Sequence, residues 1–296
     1  MKSPFLIGLA ALSLTACVTL SLGYQSVVLP GEFGTSARVI AVEAPTRRYK
    51  PEFFNLDLGD YRIEAVDYPA PRDVLTAEHA GEPVSEVTVD NTGWNLLLAG
   101  AFVGEWVTYA QYRSEHESTR RFETVGLDGQ RARTACVVNS VGLENEEVAR
   151  TAVSLGDSTD RGGRVIHYGE WLATRMLCTI RNGEETWLLQ LVQRADDVPE
   201  VSLTKGSVPF KTDVLPEAFV ATPYTSGQAA IEPDAIPVGE LLPGVGFSDG
   251  QRMRAAAALY GGNTTLWLAP DLDPAEAVAL VASGYALMLH GWLNGG

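Results

Sequence analysis

Between residues 36 and 210 apolar and polar positions alternate along much of the chain, the period of strands with one buried face. Tyr61, Ile63 and Ala65 alternate with Arg62 and Glu64, and Val87 and Val89 with Glu86, Thr88 and Asp90. Residues 122–127, then Asp128-Gly129, then 130–139 spell strand, tight turn, strand; residues 176–181, Asn182-Gly183 and 186–193 repeat the order. Asp-Gly and Asn-Gly supply the positive φ angles of short hairpin turns. Alternation then assigns faces. Ala132, Thr134, Cys136 and Val138 share one, Met176, Cys178 and Ile180 another, and Trp187, Leu189 and Leu191 a third.

Residues 94–110 are nearly all apolar, with Gly100 and Gly104 at the spacing of a membrane-helix dimer motif, but Glu105 interrupts them. They are expected to form two buried strands turning near Gly104. Seven of the sixteen prolines fall between 199 and 243; proline cannot donate to a ladder, so edge strands and irregular connection are expected there. A hairpin is expected around Gly261-Gly262-Asn263, with Leu266 and Leu268 on one face. A helix then starts with Asp273 as cap, Pro274 in the first turn and Glu276 three residues after the cap. Residues 277–293 carry no formal charge, so the helix must be buried in a core, a membrane or a partner; the core is expected.

These elements predict a β-rich protein (all-β to α+β), with antiparallel hairpins forming a barrel or sandwich and one buried C-terminal apolar helix. The expected divisions are a signal peptide over 1–16, a tether over 17–35, an antiparallel β region over 36–210 and a Pro-rich connection over 211–245. A C-terminal hairpin and helix over 246–296 are expected to belong to the same domain. An apolar C-terminal helix after antiparallel hairpins resembles the tubby-like and phospholipid-scramblase barrels, in which such a helix threads a closed sheet. No lipid- or metal-binding residue of those families is matched.

At the N-terminus, Lys2 precedes an apolar stretch from Phe5 and then Leu14-Thr15-Ala16-Cys17, the outline of a secretory leader. The sequence Leu14-Thr15-Ala16-Cys17 resembles the lipobox of bacterial lipoproteins. That resemblance implies cleavage before Cys17 and lipidation of its thiol, and Val18 in place of aspartate implies sorting to the outer membrane, facing the periplasm. The alternative is an uncleaved inner-membrane anchor, because residues 5–22 carry no charge and are long enough to span. Either way the folded part lies in the cell envelope.

Compartment changes the reading of the cysteines. The chain has three; with Cys17 as anchor, Cys136 and Cys178 remain to form a disulfide in an oxidising periplasm. Net charge of −15 repels nucleic acid and anionic headgroups. The expected partners are therefore the membrane, reached through the lipid, and another envelope protein or a lipid.

Candidate chemistry is sparse. Gly246-Phe247-Ser248-Asp249-Gly250 fits the nucleophile elbow, and Asp271 and His290 follow in triad order. The βαβ context that such an elbow needs does not precede it, so Ser248-Asp249-Gly250 is expected to be a turn. His79, His116, His167 and His290 are scattered and Asp271-x-Asp273 is only the start of a calcium loop. No metal or cofactor is expected. Trp106, Tyr109 and Trp171 are candidate groove-lining aromatics. The sum is a non-enzymatic binding or structural protein, with a serine hydrolase and a lipid-handling barrel as alternatives.

Overall fold

The computed structural model describes residues 24–45, 50–69, 72–79, 84–88, 101–155, 158–220, 242–259 and 264–294. In chain order the elements are β1 (Tyr24–Val27), α1 (Gly31–Ser36), β2 (Arg38–Ala41), a 3-10 turn (Pro51–Phe54), β3 (Leu56–Asp57), β4 (Tyr61–Asp67), β5 (Arg72–His79) and β6 (Val84–Thr88). Three long strands follow, β7 (Ala101–Gly126), β8 (Arg131–Leu155) and β9 (Ser158–Asn182). Then come β10 (Glu185–Arg194), β11 (Glu200–Lys205), β12 (Val208–Val214), β13 (Glu217–Val220), β14 (Gly244–Ser248), β15 (Met253–Ala258), β16 (Thr265–Leu268) and α2 (Pro274–Asn294).

One antiparallel sheet runs β2-β16-β15-β14-β12-β11-β10-β9-β8-β7-β4-β3 and curls around α2. Its ladder is not closed. The two ends meet through side chains instead: Arg38 of β2 forms an ion pair with Asp60 in the β3–β4 turn, and its guanidinium lies 5.1 Å from the ring centroid of Tyr61.

Nearly every position of α2 is buried, which is where an apolar helix without a polar face must be. It starts as its sequence dictates. The Glu276 amide donates to Asp273 Oδ1 at 2.9 Å, and the Ala277 amide to the Asp273 carbonyl. Asn182 Nδ2 donates to the Ala275 carbonyl at 2.7 Å, tying the β9–β10 turn to this end. β15 is Met-Arg-Ala-Ala-Ala-Ala, and its small side chains let both of its faces be covered. Ala255 and Ala257 join the core around α2, whereas Ala256 and Ala258 join a second cluster with Val27, Phe33 and Trp267 outside the sheet. Close approach is tightest at Gly284, where an added Cβ would lie 2.3 Å from Leu266 Cδ2.

β7, β8 and β9 continue beyond the level of His290 in the last turns of α2. Their outer halves pair Ala101 with Leu155 and Leu155 with Ser158, and β5 and β6 add to β7. This arm extends roughly 50 Å past the helix.

Several expectations need correction. Residues 24–35 are not a plain tether: β1 pairs with β13, and α1 follows, with Val27 and Phe33 buried. β7 passes straight through Gly104, which pairs with Ala152, so its run of strand residues has no turn there; residues 94–100 lie outside the described residues. The start of the Pro-rich connection is sheet, since β12 joins β11 to β14 despite Pro209. The remainder, 221–241, lies outside the described residues, as do 260–263 of the expected Gly261-Gly262-Asn263 turn. The strands flanking that turn do pair, and Leu266 and Leu268 face the core. Ala65 is not on the buried face: it is exposed, with φ of 54°, and Val66 takes the inward place. That left-handed alanine coincides with the register shift between Glu64 and Asp67 in the β4–β7 ladder.

Both expected hairpins form, with modified turns. Residues 127–130 make a four-residue loop in which only Gly129 has positive φ, 82°. Asn182 is the last paired residue of β9, leaving Gly183, with φ of 59°, to start the turn.

Candidate functional site

Cys136 and Cys178 sit directly opposite each other in the β8–β9 ladder and form a disulfide, with Cα atoms 3.9 Å apart. Both face the core, as alternation required. Cys17, the expected lipidation site, lies outside the described residues.

Two residues of the candidate hydrolase triad, Ser248 and Asp271, lie near the start of α2, and the third, His290, lies near its other end. Ser248 closes β14 opposite Met253, at a register irregularity. The next residue, Asp249, caps the turn: its Oδ1 accepts from the amides of Gln251 and Arg252 at 2.9 and 3.1 Å, and Gly250 takes φ of 92°. The turn reading of Ser248-Asp249-Gly250 is therefore correct. Asp271 is bound to Arg252 and to Arg254 Nη1, and Arg254 Nε also donates to Glu276 Oε1 at 3.1 Å. Burial opposes its charge, but Arg252 and Arg254 outweigh that and hold the Asp271 carboxyl below its ordinary range. All of this surrounds the first turn of α2, whereas His290 lies roughly 21 Å further along the helix axis than Glu276.

At that far end His290 has its own partners. Arg120 Nη1 approaches Nδ1 at 3.1 Å, and Nε2 lies 3.1 Å from Gln193 Oε1. A guanidinium only donates, so Nδ1 is the acceptor and Nε2 carries the proton. Burial first, and then the Arg120 charge, push its pKa down to about 3, so the ring is neutral near pH 7. In the same half of α2, Tyr285 and Trp292 pack with Phe54 and Phe122 edge to face or tilted, with centroids 4.9–6.3 Å apart, and Tyr285 Oη donates to the Phe54 carbonyl at 2.6 Å. His290 is thus a hydrogen-bonded core residue, with both nitrogens engaged.

No group of three or more His, Cys, Asp or Glu fit to hold a metal ion occurs among the described residues. Trp171 is partly exposed where the sheet around α2 passes into the arm, its Nε1 donating to Thr174 Oγ1 at 2.8 Å. Trp106 and Tyr109 are strand positions of β7, paired with Arg150 and Glu147.

Sequence reasoning missed a hollow of about 530 Å³ on the outer face of the sheet. It opens beside the left-handed Ala65, where β4 and β7 lose register, and is lined by Arg121, Glu123, Arg133 and Arg181. Glu123 accepts from Arg133 Nε at 2.7 Å and from Arg131 Nη1 at 3.0 Å. Those bonds, the one from Arg133 foremost, hold its carboxyl below the usual range. The three arginines sit on different strands, and only the register, with Glu123 opposite Arg133 and Arg133 opposite Arg181, brings them together.

Comparison with known proteins adds no relative: the chain matches no family model, no curated protein and no solved structure.

Proposed function

We propose that this protein is a cell-envelope lipoprotein, held on the periplasmic face of the outer membrane by a lipid on Cys17, whose role is binding or structural rather than enzymatic. The observation that carries the reading is the cross-strand Cys136–Cys178 disulfide, because such bonds persist in oxidising compartments. The leader ending in Cys17 supplies the route there. The filled interior supports binding through the outer surface. Among the described residues α2 and its aromatic neighbours occupy the space that a lipid-handling barrel would need for a ligand within the sheet. The separation of Ser248 from His290 removes the geometric support for the hydrolase alternative.

Mass spectrometry of the mature N-terminus, combined with membrane fractionation and non-reducing electrophoresis, tests the reading. A diacylglyceryl-modified Cys17 at the new N-terminus, in the outer-membrane fraction with one intramolecular disulfide, is the expected result. An intact leader in the inner membrane would move the protein to the single-pass alternative, and a cytosolic protein with free thiols would sink the proposal.

A further inference from the structure

Arg121 and Arg181 are arginines whose guanidiniums form no ion pair among the described residues, in a chain of net charge −15 that has carboxylates to spare. Both line the hollow beside Ala65, together with Arg133. Three guanidiniums against the single carboxylate of Glu123 leave two positive charges facing it. Among the described residues, no second carboxylate lines the hollow. Glu64 is taken by Arg62 at 3.3 Å, and Asp67 is opposite Arg121 in register without pairing with it. Positive charge gathered in a concavity focuses the field there and raises the local concentration of anions.

The backbone at the hollow is itself unusual. Ala65 is the non-glycine residue with positive φ among the described residues, a conformation that costs an L side chain of order 1 kcal/mol. That turn of the chain interrupts the β4–β7 ladder and opens the concavity.

From these observations we infer that the hollow lined by Arg121, Arg133 and Arg181 binds a phosphate group. Guanidiniums present planar donor forks that match phosphate oxygens, and a charge of −1 to −2 balances the two uncompensated positive charges. The phosphate reaches the hollow on a soluble molecule or on a lipid headgroup, and the same arginines serve both. In the register row that runs from Arg121 through Ala135 and Thr179, exposed Leu188 lies three strands across, beside the Thr179 that lines the hollow, and exposed Val137 and Leu177 pair in the row beyond. This small apolar surface suits the glyceryl part of a headgroup. The inference names a ligand class for the binding role proposed above, and it needs neither the lipid on Cys17 nor the envelope location.

The test uses the full chain in neutral detergent, titrated calorimetrically with inorganic phosphate and, separately, with water-soluble dihexanoyl phosphatidylglycerol, each against sodium chloride at equal ionic strength. Saturable binding in either titration is expected, weakened at least about tenfold in a variant carrying Arg121→Gln, Arg133→Gln and Arg181→Gln. Phosphate binding that the phospholipid does not exceed identifies a soluble source, and phospholipid binding at least about tenfold tighter than that of phosphate identifies a headgroup. Arg175→Gln, on the same outer face but not lining the hollow, is expected to bind as the parent does. Flat titrations with both ligands, or equal affinity in the triple variant shown by thermal denaturation to be folded, overturn the inference. Because fractionation and N-terminal mass measure location independently, a failed titration leaves the envelope reading standing, and a failed localisation leaves the site standing.

Discussion

The Nδ1 atom of His290 accepts a hydrogen bond from the buried guanidinium of Arg120 at 3.1 Å, which fixes the imidazole as the neutral Nε2–H tautomer. A ring so placed cannot take a second proton without facing that positive charge. In the unfolded chain it titrates normally, near 6.5, and in the fold near 3. Between those values the unfolded state binds the additional proton, so folding stability is complete above about pH 6.5 and falls as the pH drops.

About 2 kcal/mol of that loss should fall between pH 6.5 and pH 5. Denaturant unfolding at pH 7 and pH 5 checks it: His290→Gln should show a smaller pH difference than the parent, whatever its stability at pH 7. An equal slope in both proteins would show that the ring does not titrate abnormally.

Removal of the disulfide should destabilise mainly through the unfolded chain. Cys136 and Cys178 are 42 residues apart, and closing a loop of that length is worth roughly 4 kcal/mol in the chain-entropy model. The Cys136→Ala, Cys178→Ala double variant should unfold at lower denaturant than the oxidised parent, and reductant should shift the parent but not the variant.

Packing between α2 and β16 should be intolerant of added volume. Gly284→Ala places a Cβ 2.3 Å from Leu266 Cδ2 inside a filled core, and overpacking of this kind costs about 1–3 kcal/mol. Gly284→Ala combined with Leu266→Ala should cost less than the sum of the two single losses in thermal unfolding, because the second substitution removes the clashing methyl while itself emptying part of the core.

The ion cluster at the start of α2 should depend on all its members. The Arg254 side chain is 8% exposed and Glu276 14%, so Arg254→Met leaves a largely buried carboxylate without its partner. A loss of about 2 kcal/mol is expected, less than for a fully buried pair. Adding Glu276→Gln to Arg254→Met should restore some of it, and a double-mutant cycle measures the coupling.

Where the physics is local, the chain announces its structure. Period-two alternation placed Cys136, Cys178, Trp187 and Leu189 on buried faces, and Asp273, Pro274 and Glu276 marked the helix start, because each signal acts within a few residues. Ala65 escaped the same logic. Its alternation with Arg62 and Glu64 is regular, but a bulge shifts the frame by one position, and the pull comes from Val66 seeking the core. The long strand through Gly104 escaped as well, because its stability comes from pairing with β8 and not from its own residues.

The sequence by itself determined the two hairpins and the last helix, which of their faces are apolar, that this helix must be buried and that two cysteines share the buried side. Tertiary structure alone decided that Ser248 and His290 lie at opposite ends of that helix, that Arg38 and Asp60 hold the ends of the sheet together, and that Arg121, Arg133 and Arg181 surround one hollow. The division follows from range. Periodicity and capping are set by neighbours along the chain, whereas strand register, the closing of a sheet and the meeting of distant charges are fixed only when the whole core is packed.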